Sequence, residues 1–307
     1  MRCKTALCVL LLLICCSSAL SAQPLIERDL VVNPLWDEGQ AESGETSYVH
    51  TFGGWASFGP YLRFQDDDHQ WNHQIGGFLE VVRWGQSTSL HVTTQIEFIA
   101  DPFNNINFNP RAIFWEEGVV LTRRTGGPYW QFGYYHRCKH DIDNLNRGEE
   151  RTLIYGSFMN RMIWPVDLES SERSYIAWKT DVFTVRQDTR EPEDALALQP
   201  NVDQKLASTG VQAHTRFDGS GQAGWFATLY GDATLYSATD GFFDRFGSVN
   251  DVRFNGGVAA GLSILGRGEL RIKAAYEYLS DTGIPVEPRG SHLFRVSLMA
   301  LSPNVIR

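Results

Sequence analysis

The chain has 307 residues, 43% of them hydrophobic, 21% charged and 12% aromatic, with 28 glycines and a formal net charge of −9. That much apolar and aromatic matter can form a core, which excludes wholesale disorder, and the acidic balance leaves no basic face for a general nucleic-acid binder. Mean hydropathy is −0.25, and past residue 22 no apolar run approaches the roughly 20 residues a spanning helix needs, so a polytopic helical membrane protein is excluded too.

Residues 1–22 read as a secretory signal peptide. Arg2 and Lys4 make a basic start, Leu7 to Ile14 an apolar stretch and Ser17 to Ala22 a small-residue exit, with cleavage expected near Ala22–Gln23. Cys3, Cys8, Cys15 and Cys16 leave with it, so the mature chain keeps only Cys138 and has no intramolecular disulfide. Losing Arg2 and Lys4 takes the net charge from −9 to −11. Residues 23–47 are then expected to be a periplasmic lead, and 48–307 a single barrel domain.

From there the hydrophobic period is two. Strands are predicted over 48–64, 71–84, 88–100, 110–123, 128–138, 151–164, 174–187, 203–217, 222–237, 250–265, 268–280 and 291–302. Pro60 weakens the first, and 71–84 alternates less cleanly than the rest. In 90–100, Leu90, Val92, Thr94, Ile96 and Phe98 oppose His91, Thr93, Gln95 and Glu97. In 269–279, Leu270, Ile272, Ala274, Tyr276 and Tyr278 oppose Arg271, Lys273, Ala275 and Glu277. Such segments are near the 9–11 residues that cross a bilayer at a tilt.

The connections alternate as well. Short links at 85–87, 124–127, 218–221 and 266–267, and a middling one at 165–173, separate longer polar stretches at 65–70, 101–109, 139–150, 188–202, 238–249 and 281–290. Short turns on one side and long loops on the other are the plan of a transmembrane barrel; a soluble sandwich would explain the alternation but not the one-sided loop lengths. The predicted fold is therefore all-β, a transmembrane antiparallel β-barrel of about twelve strands in a bacterial outer membrane. An even strand count puts both termini on the periplasmic side. Trp84, Trp115, Trp130, Trp164, Trp178, Tyr276 and Tyr278 suit interfacial girdles. Against the pattern of many bacterial barrels, the chain does not end on an aromatic residue.

The stretch Trp130 to Asp141 is the most suggestive for chemistry. Period two puts His136 and Cys138 on the same, apolar face as Trp130, Phe132 and Tyr134, hence toward lipid near a long outer loop. Residues i and i+2 of a strand lie about 6–7 Å apart, within reach for an imidazole to activate a thiol. His136-Arg137-Cys138 resembles the His-x-Ser pair of the outer-membrane phospholipase A family. The twelve-strand count agrees with that family and with the barrel deacylases that trim lipid A. The stretch is also similar to an uncharacterised family of exported bacterial proteins with a His-x-Ser-Ser-His motif, matched by His136, Cys138 and His140. The resemblance implies an acyl-ester hydrolase with Cys138 as nucleophile, His136 as base and an asparagine on the next strand as orienter. Asn160 shares the face of Ile154, Phe158, Met162 and Trp164 and is the candidate; Asn144 and Asn146 are rivals in the loop. The chain departs from the phospholipase pattern by cysteine at 138 and by Lys139-His140 where that motif continues Asn-Gly.

Two further groupings stand out. Asp66, Asp67 and Asp68 in the first long loop, with Asp141 and Asp143 at the third, could offer hard oxygen ligands to calcium, although no calcium-loop spacing is present. Solvated acidic loops are the favoured account of them. Arg271, Lys273, Glu277, Glu97, Gln95, His91, Lys179, Asp181, Arg253, His214 and Arg216 would meet inside the barrel, pairing and filling a narrow lumen. Three functions stay open: a barrel that is structural or binds surface lipid, an acyl-ester hydrolase, and a narrow channel. The expected partners are outer-membrane lipid or lipopolysaccharide and the barrel-insertion machinery.

Overall fold

Alternating apolar and polar residues leave each strand with one face for a core and one for another medium, and closing the sheet on itself removes its edges. The computed structural model describes residues 30–36, 45–64, 71–100, 110–141, 152–168, 171–188, 205–219, 221–237, 247–280 and 291–305. Its strands are β1 (Thr46–Tyr48), β2 (Phe52–Phe64), β3 (Trp71–Trp84), β4 (Thr88–Ala100), β5 (Pro110–Arg124), β6 (Tyr129–Asp141) and β7 (Thr152–Leu168). They continue with β8 (Ser171–Asp188), β9 (Lys205–Asp218), β10 (Ala223–Ser237), β11 (Val249–Leu265), β12 (Glu269–Leu279) and β13 (Ser291–Leu301). From β2 onward each strand pairs antiparallel with its chain neighbour, and β13 returns to pair with β2.

Although thirteen strands are named, the barrel has twelve staves. β1 and β2 pair in succession with the same strand, Tyr48 opposite Val82 and Phe52 opposite Leu79. They form one first stave broken at residues 49–51, where Val49 takes a φ of +52°. The break faces an irregularity in β3 between Glu80 and Val82. This bulge explains the imperfect alternation of 71–84, because it turns both Glu80 and Arg83 inward. There Arg83 donates to both carboxylate oxygens of Glu80, at 2.7 and 2.9 Å. The predicted 165–173 link shortens, since β7 and β8 pair out to Leu168 opposite Ser171.

Pro60 sits at the closing seam. It cannot donate to a ladder, and the β13–β2 register shifts nearby, between Phe294 and Arg295. Beside it, a Cβ on Gly59 would lie 1.9 Å from the Val296 carbonyl oxygen, so the two strands meet there only because the residue is glycine.

The inward faces carry the polar residues. Arg137 is ion-paired to Glu116 and donates to Ser157 Oγ at 2.7 Å, and Ser157 in turn donates to Asp181 at 2.8 Å. Lys179 lies 3.2 Å from the same aspartate. Arg271 donates to both oxygens of Glu269, and His214 shares a 2.8 Å hydrogen bond with Thr228 while stacked between Tyr175 and Phe226. The predicted interior constellation is therefore inside, with Lys179, Asp181, Arg271 and His214 paired there, while His91 Nδ1 and Gln95 Nε2 have no hydrogen-bond partner among the described residues.

At the short-turn end an apolar plug sits in the mouth. Leu30–Trp36, ending in the 3-10 turn Pro34–Trp36, packs with Trp55, Phe78, Tyr129, Ile163, Tyr175 and Met299. Trp36 stacks on Tyr129 at 5.6 Å. Arg83 and Asn304 both donate to the Pro34 carbonyl, at 2.7 and 3.1 Å, and Gln131 to that of Val32 at 2.7 Å. A bridge joins Val32 to Val305. Thus part of the segment expected to be a periplasmic lead lies inside the barrel.

Candidate functional site

The outer wall is built from the opposite set of residues. On β5, Ile113, Trp115, Val119 and Leu121 point out; on β6, Trp130, Phe132 and Tyr134; on β7, Ile154, Phe158, Met162 and Trp164. His136 and Cys138 belong to this outward face, His136 exposed and Cys138 half-buried, as period two predicts. Arg137 and Lys139, between and beyond them, are fully buried in the lumen.

One outward rung of this wall is polar. Across β4, β5, β6 and β7 the register runs Thr94, Glu117, His136, Gly156. Glu117 is exposed and accepts the Trp115 indole N–H at Oε1, 2.9 Å. Trp115 is itself the cross-strand neighbour of Cys138. Two adjacent rungs therefore form a square, with Trp115 and Glu117 on β5 and Cys138 and His136 on β6. Directly opposite residues have Cβ atoms about 4.5–5.5 Å apart.

On the β7 side of the square the Tyr134 ring lies over Gly156, which is buried. Gly156 must lack a side chain, because a Cβ there would lie 2.2 Å from Tyr134 Oη. The Tyr134 ring reaches toward β8, where its hydroxyl lies 3.4 Å from Thr184 Oγ1, and Thr184 donates to the Gly156 carbonyl at 3.4 Å. A second hydroxyl pair thus continues the polar rung past the glycine. Toward the long-connection end, His140 Nδ1 and Thr152 Oγ1 lie 3.2 Å apart.

Asn160 faces outward as expected, but it is not brought to His136. It stands opposite Phe132, four residues along β7 from Gly156, the partner of His136. At about 3.3 Å per residue that is about 13 Å, well beyond a hydrogen bond. Register alone decides this, and facing could not have shown it. Asn144, Asn146, Asp66, Asp67, Asp68 and Asp143 lie outside the described residues. Asp141 ends β6 with its backbone opposite Ala112. Among the described residues no group of three or more His, Cys, Asp or Glu is arranged to hold a metal.

Glu117 is the site residue that reading for an asparagine missed. The signal was present: in Trp115-Glu116-Glu117-Gly118 two adjacent glutamates must take opposite faces. Period two puts the second with Trp115, Val119 and Leu121.

No protein-family model matches the chain, and no curated protein matches it. Among solved structures it is similar to the Salmonella typhi outer membrane phospholipase, a dimer with bound calcium, at 10% identity and a TM-score of 0.43, covering 87% of this chain and 96% of that one. It is also similar to the translocator domain of the autotransporter NalP from Neisseria meningitidis, at 12% identity and 0.35, covering 85% and 90%. A Rh. blastica porin matches at 6% and 0.29, covering 82% and 99%. At these values the likeness adds nothing to the barrel described above and reaches no individual residue.

Proposed function

We propose that the protein is an integral outer-membrane barrel that works at its outer wall, and that its activity is acyl-ester hydrolysis of outer-leaflet lipid. The polar rung carries this reading. Ionisable side chains facing hydrocarbon are costly and mark function, and Glu117 and His136 stand directly opposite one another on a face that also carries Trp115, Val119, Phe132 and Tyr134. From the Arg123–Trp130 rung to the Trp115–Cys138 rung is eight residues, about 26 Å along the strand and about 20 Å across a bilayer at a tilt near 40°. Trp130 and Trp115 then mark the two interfaces. Glu117 and His136 lie one step inside the outer one, at the depth where lipid ester linkages meet acyl chains. Cys138 is the nucleophile and His136 the base that takes its proton. The apolar plug and the paired lumen weigh against a channel.

The test uses the purified full-length barrel in vesicles of ester-linked phospholipid, with ether-linked lipid as control. Wild type releases fatty acid from the ester lipid alone, and Cys138→Ala and His136→Ala reduce release to background. Undiminished release by Cys138→Ala removes the reading. A second reading has its own observation: among the described residues no hydrogen bond joins His136 to Cys138. In that case the rung holds a lipid headgroup without cleaving it. Lipid then co-purifies with wild type, less with His136→Ala, and no acyl chain is released by either.

A further inference from the structure

Resting on that reading of the β5–β6 wall, we propose that Glu117 is the positioning residue of His136, so that the site is completed from the strand before the histidine rather than the strand after it. The surroundings of His136 leave few alternatives. Its direct neighbours are Glu117 on β5 and Gly156 on β7. The diagonal positions hold Trp115 and Val119 on one side and Ile154 and Phe158 on the other. Glu117 is the one carboxylate among these six.

Its aim is also constrained. The Trp115 indole holds Oε1 at 2.9 Å, which leaves Oε2 with no hydrogen bond among the described residues. A carboxylate that accepts one ring N–H of an imidazole fixes its tautomer and orientation, and frees the other nitrogen to act as base. Because the anchoring indole lies opposite Cys138, the group that aims Glu117 is next to the nucleophile. Nucleophile, base and orienter then occupy three corners of one square, and the fourth corner sets the third.

The chemistry this permits is balanced without any further reagent. The Cys138 thiol proton passes to His136 as sulfur attacks the acyl carbonyl. The ester C–O bond breaks, and the departing alcohol takes that proton from His136. Water then attacks the thioester and gives its proton to His136, which returns it to the Cys138 sulfur as the fatty acid leaves. Glu117 gains no proton at any step.

The experiment reads Cys138 directly. The full-length barrel in vesicles is treated with iodoacetamide, and alkylation of its single mature thiol is followed by mass spectrometry. Glu117→Gln keeps the size and the oxygen that Trp115 needs, and removes the charge. Alkylation is expected to fall about tenfold in His136→Ala and in Glu117→Gln, and the double variant to be no slower than His136→Ala, the signature of one coupled unit. Glu117→Leu gives the same loss, and heat-modified gel mobility reports folding of each. In lipid turnover, Glu117→Gln lowers kcat and leaves KM unchanged.

Wild-type alkylation in Glu117→Gln, or losses that multiply in the double variant, overturn the inference. If the coupling holds and no fatty acid is released from ester vesicles, the hydrolase reading fails and the Glu117–His136 unit stands. If fatty acid is released and Glu117→Gln matches wild type in both assays, the Glu117 inference fails alone.

Discussion

The lumen and the outer wall of this barrel treat polar residues in opposite ways. Inside, Arg137 has Glu116, Ser157 and the neighbourhood of Asp181, and Arg83 has both oxygens of Glu80 and the Pro34 carbonyl. Outside, His136 has no hydrogen bond among the described residues, and Glu117 has one, from an indole. A charge out of water that is held by an opposite charge of the same chain is part of the scaffold. A charge facing outward with capacity to spare is available to something that is not the protein. The difference separates architecture from function more sharply than residue type does, since Arg137 lies between His136 and Cys138 in the chain.

This contrast breaks if the two regions respond alike to substitution. The largest effect is expected inside: Arg137→Met leaves Glu116 buried without its counter-ion and should cost about 3–5 kcal/mol of stability, read as a lower midpoint of denaturant unfolding. Next comes Gly156→Ala at the wall. Its new methyl meets the Tyr134 hydroxyl and should cost about 1–3 kcal/mol, pushing that hydroxyl away from Thr184 and reducing lipid turnover. Smallest are His136→Ala and Glu117→Gln, which should change stability by no more than about 0.5 kcal/mol while removing the site's reactivity. A large destabilisation by either would make the polar rung a structural element after all.

Much of the architecture was legible in the sequence because the alternation is local. The limits of β3 and β4 follow from it to the residue, and the outward facing of His136 and Cys138 needs only the parity of their numbers. What depended on pairing between strands was not legible. The bulge at Glu80–Val82 reverses parity within β3, a change visible only against β4. Asn160 has the right parity and the wrong height, because register is a property of two strands. The plug escaped notice for a related reason: Leu30 to Trp36 is short, aperiodic and mostly apolar, and its partners lie as far off in sequence as Asn304 and Val305.

That plug has a consequence for assembly. Val32 bridges to Val305, and Asn33 donates its backbone N–H to the Asn304 carbonyl at 2.9 Å. Residues 302–305 follow β13 directly, and β13 is the strand that closes onto β2. The clasp therefore ties the two ends of the described chain together beside the closing seam. It acts as a latch on a finished hoop, and holds shut the one seam that has no connecting turn.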